Sequence, residues 1–144
     1  MRFWDSSAVV PLLVGEAASD DMMAEYLRDP EMVVWWATTV ECVSALARLE
    51  RDGVLEPSSM ATAIQRLNSL DDGWREVQPT VRVRQIAIRL LRVHGVRAAD
   101  ALQLSAALAA AEDHPASLEL VTLDHRLGRA AEREGFTVIG AAAA

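Results

Sequence analysis

Four acidic residues of this 144-residue chain stand where an apolar run gives way to a helical pattern or where a helix begins. They are Asp5, Glu41, Asp100 and Asp124. In open α/β sheets, ligands gather beyond the carboxyl ends of the strands, so we expect these carboxylates at one edge of a sheet. Four such acids would repel one another, and a divalent cation relieves that repulsion. Because all-oxygen ligands suit Mg²⁺ or Mn²⁺, the pattern predicts a carboxylate-held site for one of these ions.

Each acid also has a purely structural interpretation. Asp5 and Asp124 can cap helices, and Asp100 can favour a helix dipole. Thr38 and Glu41 have the spacing of a capping box, in which each side chain bonds to the backbone of the other residue. Asp100 fits the structural interpretation least well, since a carboxylate on so apolar a helix needs a compensating partner.

An alternation of apolar runs and helical patterns predicts the elements that position these acids. The alternation is typical of an α/β sandwich around a mainly parallel sheet. Residues 101–111 are apolar nearly all round, which predicts a buried helix. The predicted strands cover residues 2–4, 33–36, 75–77, 118–123 and 136–139.

Composition limits the class of protein. The net charge is −7 and all fourteen basic residues are arginine, so P-loop NTPases, Schiff-base enzymes and phosphoryl sites built on a lysine are excluded. The negative net charge argues against a protein that coats nucleic acid through overall positive charge.

The single cysteine, Cys42, cannot form an internal disulfide or a thiolate metal site. No apolar stretch reaches the roughly 20 residues of a membrane span, and an acid precedes any signal segment, so we expect a cytoplasmic protein.

Four motifs, in order along nearly the whole chain, resemble those of PIN domains and more narrowly of VapC-type toxins from toxin–antitoxin pairs. The resemblance implies a PIN-like three-layer α/β/α sandwich, which we expect as a single domain over residues 1–140, with an Ala-rich tail at 141–144 that frays. It also implies an Mg²⁺- or Mn²⁺-dependent endoribonuclease that acts on RNA, forms a homodimer and is blocked by a cognate antitoxin. The motifs are Asp5-Ser-Ser-Ala-Val-Val-Pro-Leu, Thr39-Val-Glu41, Arg97-Ala-Ala-Asp100-Ala-Leu-Gln-Leu and Thr122-Leu-Asp124-His-Arg-Leu.

The same resemblance implies roles for the four acids. A metal held by Asp5, Asp100 and Asp124 would acidify a bound water and ligate a phosphate oxygen, and a second metal arriving with the RNA would stabilise the leaving oxygen. Glu41 would act directly on the metal or through a bound water.

Four further positions bear on how this site would bind metal ions and water. Ser6 and Thr122 are predicted to orient waters around the metal, with helix capping as the alternative. Many family members carry a further acid shortly after the last motif, and this chain has Leu127 and Gly128 in that stretch. Occupancy of a second metal site therefore stays open.

One segment of the chain is rich in arginine. Residues 81–97 contain five arginines and no acid. At 100° per residue, Arg82, Arg89 and Arg92 lie on one stripe with Gln85, opposite an apolar face. The stripe is either a solvated helix face or a track for the phosphate backbone of RNA, and these three arginines are the predicted RNA-binding residues.

Two other function classes remain open: a PIN-type RNA-processing nuclease without an antitoxin, and a non-catalytic protein-binding module on the same fold. A haloacid-dehalogenase-like phosphatase is excluded, because that family requires an acid where Ser7 stands and a lysine later in the chain.

Three tryptophans, Trp4, Trp35 and Trp36, fall in predicted strands, and we expect them in the core or in a dimer interface.

Overall fold

The computed structural model describes residues 1–141, which form five β-strands and seven α-helices. The strands are β1 (Arg2–Trp4), β2 (Met32–Trp35), β3 (Arg75–Val77), β4 (Glu119–Thr122) and β5 (Val138–Gly140). The helices are α1 (Ser6–Leu13), α2 (Ser19–Arg28), α3 (Thr38–Arg51), α4 (Pro57–Gly73), α5 (Val81–Val93), α6 (Ala98–Ala110) and α7 (His125–Arg133).

The five strands form one sheet in the order β3-β2-β1-β4-β5, and every pairing in it is parallel. The chain runs from β1 outward to β2 and β3, then returns to the other side of β1 to form β4 and β5. This reversal is a topological switch point between β1 and β4, the place where open α/β sheets bind ligands. The predicted α/β class and parallel sheet are confirmed.

Helices cover both faces of the sheet, because successive side chains of a buried strand point to opposite faces. Phe3 belongs to a core cluster with α5, α6 and α7, whereas its neighbour Trp4 belongs to a second cluster with α1 to α4. Both side chains are fully buried, and burial of such a side chain contributes about 1.5–3 kcal/mol. The molecule is therefore the expected three-layer sandwich.

The boundaries differ from the predictions by one or two residues. Strand β2 ends at Trp35, which is buried, so Trp36 lies in the following turn and is 49% exposed. Of the two locations expected for Trp36, the core is wrong because β2 ends one residue earlier, and a dimer interface stays a prediction. Residues 142–144 of the predicted tail lie outside the described residues. No helix within residues 1–141 combines the length and the apolar character of a membrane span.

Candidate functional site

Asp5 lies at the centre of the switch point, directly after β1, and caps the N-terminus of α1. Its Oδ2 accepts hydrogen bonds from Ser7 Oγ at 2.5 Å, Thr122 Oγ1 at 2.8 Å and the backbone N–H of Ser7 at 3.3 Å. Its Oδ1 has a single longer contact, with Ser6 Oγ at 3.4 Å. The side chain is thus held through one oxygen, which leaves the other available to a ligand.

Burial governs the charge state of Asp5, whose residue is only 4% exposed. Loss of hydration raises the pKa of the carboxyl group, and the nearby Asp124 carboxylate raises it further. The hydrogen bonds from Ser7 and Thr122 oppose this change because they stabilise the charged form. A bound cation would remove the electrostatic cost that these bonds only reduce.

Ser7 connects the ends of β1 and β4, a role that the sequence analysis did not assign. Its Oγ donates to Asp5 and accepts the backbone N–H of Leu123 at 2.9 Å. The same Oγ lies 3.2 Å from Thr122 Oγ1, which in turn accepts the backbone N–H of Asp124 at 3.1 Å. These hydroxyl groups therefore fix the position of Asp5 relative to the start of α7.

Asp124 is the second strand-end carboxylate and caps the N-terminus of α7. Its Oδ1 accepts the backbone N–H groups of Arg126 at 2.9 Å and Leu127 at 3.1 Å. Its Oδ2 accepts no hydrogen bond from residues 1–141. Capping, the structural interpretation of Asp5 and Asp124, is confirmed, and in each case it employs only one of the two oxygens.

Asp100 lies in the first turn of α6 and belongs to the same cluster of charges. Its pKa is raised to about 6, first by burial and then by the carboxylates of Asp124 and Asp5. Arg126 and Arg97 oppose this shift. Three carboxylates from two strand ends and one helix are thus close enough to affect one another.

Glu41 approaches the cluster from α3, and the predicted capping box with Thr38 does not form. The N-cap of α3 is Ala37, one residue earlier than the box requires, and it receives no side-chain hydrogen bond. Glu41 Oε1 instead accepts a hydrogen bond from Nε2 of Gln103 at 2.5 Å. The same Nε2 also donates a hydrogen bond to Thr38 Oγ1 at 3.1 Å. Burial, then the charges of Asp5 and Asp100, raise the pKa of Glu41, against the effect of the Gln103 hydrogen bond.

Gln103 is a further residue that sequence reasoning missed. It is 1% exposed, and its Oε1 has no hydrogen-bond partner within the part of the chain that the structure describes. One signal could have found it: Gln103 follows Asp100 by three residues on an otherwise apolar helix, so both lie on one face. The polar pair on that face marks the side of α6 that turns toward the site.

An open cavity of about 670 Å³ adjoins two of the four carboxylates. Asp100 and Asp124 line it together with Arg97, His125 and Arg126. The cavity therefore combines two carboxylates with two guanidinium groups, which suits a ligand that carries both a cation and an anionic group.

The donor set fits a hard divalent cation, because it consists of carboxylate oxygens, and the charges of neighbouring carboxylates contribute to the raised pKa values of Asp5, Glu41 and Asp100. Within residues 1–141, however, no three His, Cys, Asp or Glu side chains form a ready-made metal-binding cluster. One oxygen each of Asp5 and Asp124 is committed to hydrogen bonds. Leu127 is fully buried and Gly128 has no side chain, so neither offers a further donor.

The predicted RNA-binding arginines are all exposed, but none of them lines this cavity. Arg82 pairs with Asp113, and Arg89 pairs with Glu134 at 2.8 Å. Arg92 has no ion pair with any residue from 1 to 141. Their role in RNA binding stays a prediction.

Comparisons with known proteins agree with this geometry. The model of the PIN domain family matches residues 2–133. Two ribonucleases of Mycobacterium tuberculosis, VapC45 of strain CDC 1551 / Oshkosh and VapC49 of strain ATCC 25618 / H37Rv, are each 31% identical over 136 residues, which cover 94% of this chain and 92% of the relative. The crystal structure of FitAcB from Neisseria gonorrhoeae superimposes with a TM-score of 0.64 at 17% identity, over 96% of both chains. This last likeness supports the fold alone.

Proposed function

Because the chain belongs to the PIN-domain family, and within it to the VapC-type ribonucleases, we propose that it is an Mg²⁺- or Mn²⁺-dependent endoribonuclease. Its metal would be held by Asp5, Asp100 and Asp124, with Glu41 as a direct or water-mediated ligand. One observation carries the proposal: carboxylates from two strand ends and two helices approach one another at the β1–β4 switch point, where burial and the charges of neighbouring carboxylates raise the pKa values of Asp5, Glu41 and Asp100.

When bound, the ion would supply an acidified water and offset negative charge on the phosphate in the transition state. The chain's own residues prepare the site for it. Ser7 and Thr122 hold Asp5 by Oδ2, and Gln103 holds Glu41 by Oε1, so each carboxylate keeps one oxygen for ligation. The expected orientation of waters by Ser6 and Thr122 belongs to this proposal, and the contacts of both hydroxyls with Asp5 support it.

Arg97 and Arg126 line the cavity beside Asp100 and Asp124. A guanidinium group binds phosphate oxygens through two parallel hydrogen bonds, so these arginines would position the substrate phosphate above the carboxylates. Both arginines also oppose the rise in the pKa of Asp100, which favours its charged form for cation binding.

We further propose that the protein is the cytoplasmic toxin of a toxin–antitoxin pair, with RNA as substrate, a cognate antitoxin as inhibitor and a homodimer as its assembly. The VapC relatives support the toxin assignment. An exposed apolar row, formed by Trp36, Val40 and Val43 at the start of α3, supports burial of this surface in an assembly.

The proposal is tested by incubation of the isolated protein with a panel of structured RNAs in Mg²⁺ or in EDTA, followed by mapping of the ends. We expect cleavage in Mg²⁺ only, with 5′-phosphate and 3′-hydroxyl products, because water is the nucleophile. A 2′,3′-cyclic phosphate would show attack by the RNA's own 2′-hydroxyl and contradict the proposal. Absence of any ion binding would instead favour the non-catalytic binding module.

A further inference from the structure

A second, smaller cavity of about 240 Å³ adjoins the carboxylate cavity. One wall is the α5–α6 connection, with His94 and Val96, and the other is helix α7, with Arg126, Arg129 and Arg133. Arg126 lines both cavities, so the two lie side by side at the N-terminal end of α7. The smaller cavity has no acidic residue in its lining.

The three arginines, called here the α7 row, share one helix face because they are spaced by three and four residues. At 1.5 Å per residue the row extends over about 10 Å from the carboxylate edge toward the opposite end of α7. All three side chains are exposed, and none forms an ion pair with another of residues 1–141. In a chain of net charge −7, such a row is a local exception.

The two acids at the C-terminal end of α7 form no ion pair with the row. Glu134 is bound by Arg89 at 2.8 Å and by His94 Nε2 at 2.8 Å, and these contacts lower its pKa. Glu132 lies on α7 but outside the cavity lining. The His94 side chain is only 4% exposed, and its Nδ1 has no partner among the described residues. A buried polar atom of this kind is normally hydrogen-bonded, so His94 retains capacity for one further hydrogen bond.

We propose that the α7 row binds the sugar-phosphate backbone of single-stranded RNA next to the phosphate that is cleaved, an inference that rests on the function proposed above. The carboxylates repel an RNA strand, so the attraction that holds the substrate must come from positive charge beside them. The α7 row meets this need better than the stripe on α5, since Arg126 joins it directly to Asp100 and Asp124. Exposed guanidinium groups also remain free to form bidentate contacts with phosphates.

The test measures binding of a fluorescently labelled single-stranded RNA by anisotropy, in EDTA so that no cleavage occurs. The double variant Arg129→Ala/Arg133→Ala is compared with Arg48→Ala/Arg51→Ala, which removes two exposed arginines from α3 and changes the net charge equally. We expect the α7 variant to bind at least about tenfold more weakly, since each lost bond is to a charged group. Its plot of log affinity against log salt should become shallower by about 1.4, or about 0.7 for each lost phosphate contact.

The control variant should retain wild-type affinity and salt slope. Arg129→Lys/Arg133→Lys should recover most of the slope, because charge is kept, but not all of the affinity, because the bidentate geometry is lost. Wild-type affinity and slope in the α7 alanine variant would overturn the proposal and leave the row to a protein partner. Cleavage by the wild type in Mg²⁺ is measured separately, so failure of the nuclease function and failure of the α7 row are distinguishable.

Discussion

The strand-end carboxylates and the helix carboxylates of the site are held in different ways. Asp5 and Asp124 follow β1 and β4, and backbone N–H groups bind one oxygen of each. Glu41 and Asp100 lie inside helices: Gln103 is the hydrogen-bond donor to Glu41, and Asp100 has no hydrogen-bond partner within residues 1–141. The first pair is fixed by the fold itself, whereas the second depends on neighbouring side chains and on a counterion.

This difference shows that capping and ligation are compatible roles for one carboxylate. A cap occupies one oxygen, and a metal needs the other. The presence of a cap therefore does not decide between helix capping and metal ligation for Asp5 and Asp124. A substitution that removes the charge but keeps the cap distinguishes the two roles.

The largest effect is expected when a carboxylate proposed to hold the metal loses its charge. Asp5→Asn and Asp124→Asn should each reduce cleavage by several orders of magnitude, because an amide lacks the charge that holds a hard cation. Glu41→Gln should also abolish cleavage. Stability should stay within about 1 kcal/mol of wild type, since the amide oxygen can still accept the capping bonds. Cleavage rates and chemical denaturation measure the two quantities.

Asp20→Asn is the matched control, because Asp20 is exposed in the first turn of α2. It should cleave RNA at the wild-type rate. If the Asp5→Asn protein cleaved RNA at the full rate in Mg²⁺, Asp5 would be a helix cap without a role in metal binding, and the proposed metal site would be wrong.

The second prediction concerns Gln103, which distinguishes Glu41 from the strand-end pair. Gln103→Leu should weaken Mn²⁺ binding and cleavage by roughly 10–100-fold, as expected for a residue that orients a ligand. Isothermal titration calorimetry with Mn²⁺ gives the binding loss independently of activity. Gln85→Leu, at an exposed position of α5, is the control and should change neither. Unaltered Mn²⁺ affinity in Gln103→Leu would show that Glu41 needs no orienting partner.

Local signals in the sequence suffice for the strand-end half of the site. An apolar run followed by Asp and small polar residues predicts both a strand and a cap, as found at Asp5. The alternation of elements predicts the parallel sheet, and a parallel sheet places all strand ends at one edge. The sequence therefore predicts the positions of the two capping carboxylates, and the structure confirms both caps.

The helix half of the site depends on contacts that no local pattern encodes. The Glu41–Gln103 hydrogen bond joins residues 62 positions apart. The predicted capping box fails because α3 begins one residue early, so Thr38 is inside the helix and its hydroxyl turns to Gln103. Likewise, Trp36 is exposed because β2 ends one residue before it. Element boundaries shift by such amounts, and each shift changes the partner of a side chain.

A third prediction concerns the linkage between the ion and stability. Saturating Mg²⁺ or Mn²⁺ should raise the melting temperature of the wild type, because the ion binds the folded state only. Asp100→Asn should lose most of that gain and yet unfold cooperatively without metal. Differential scanning fluorimetry checks both. Equal stabilisation of wild type and variant would place the ion somewhere other than Asp100.

The smallest expected effect is a change in the pH dependence of the metal-free protein. The pKa of Asp100 is raised to about 6, so folding favours its protonated form. Its contribution to stability is therefore present below the ordinary pKa of about 4 and is lost as the pH rises through 6. In EDTA, the difference in unfolding free energy between Asp100→Asn and wild type should grow in favour of the variant from pH 4 to 7. Urea denaturation at each pH measures this difference. Because Asp100 is partly exposed, solvent screening keeps the change modest. A difference that is constant with pH would mean that Asp100 does not share the electrostatic field of Asp5 and Asp124, and the helix carboxylates would then be independent of the strand ends.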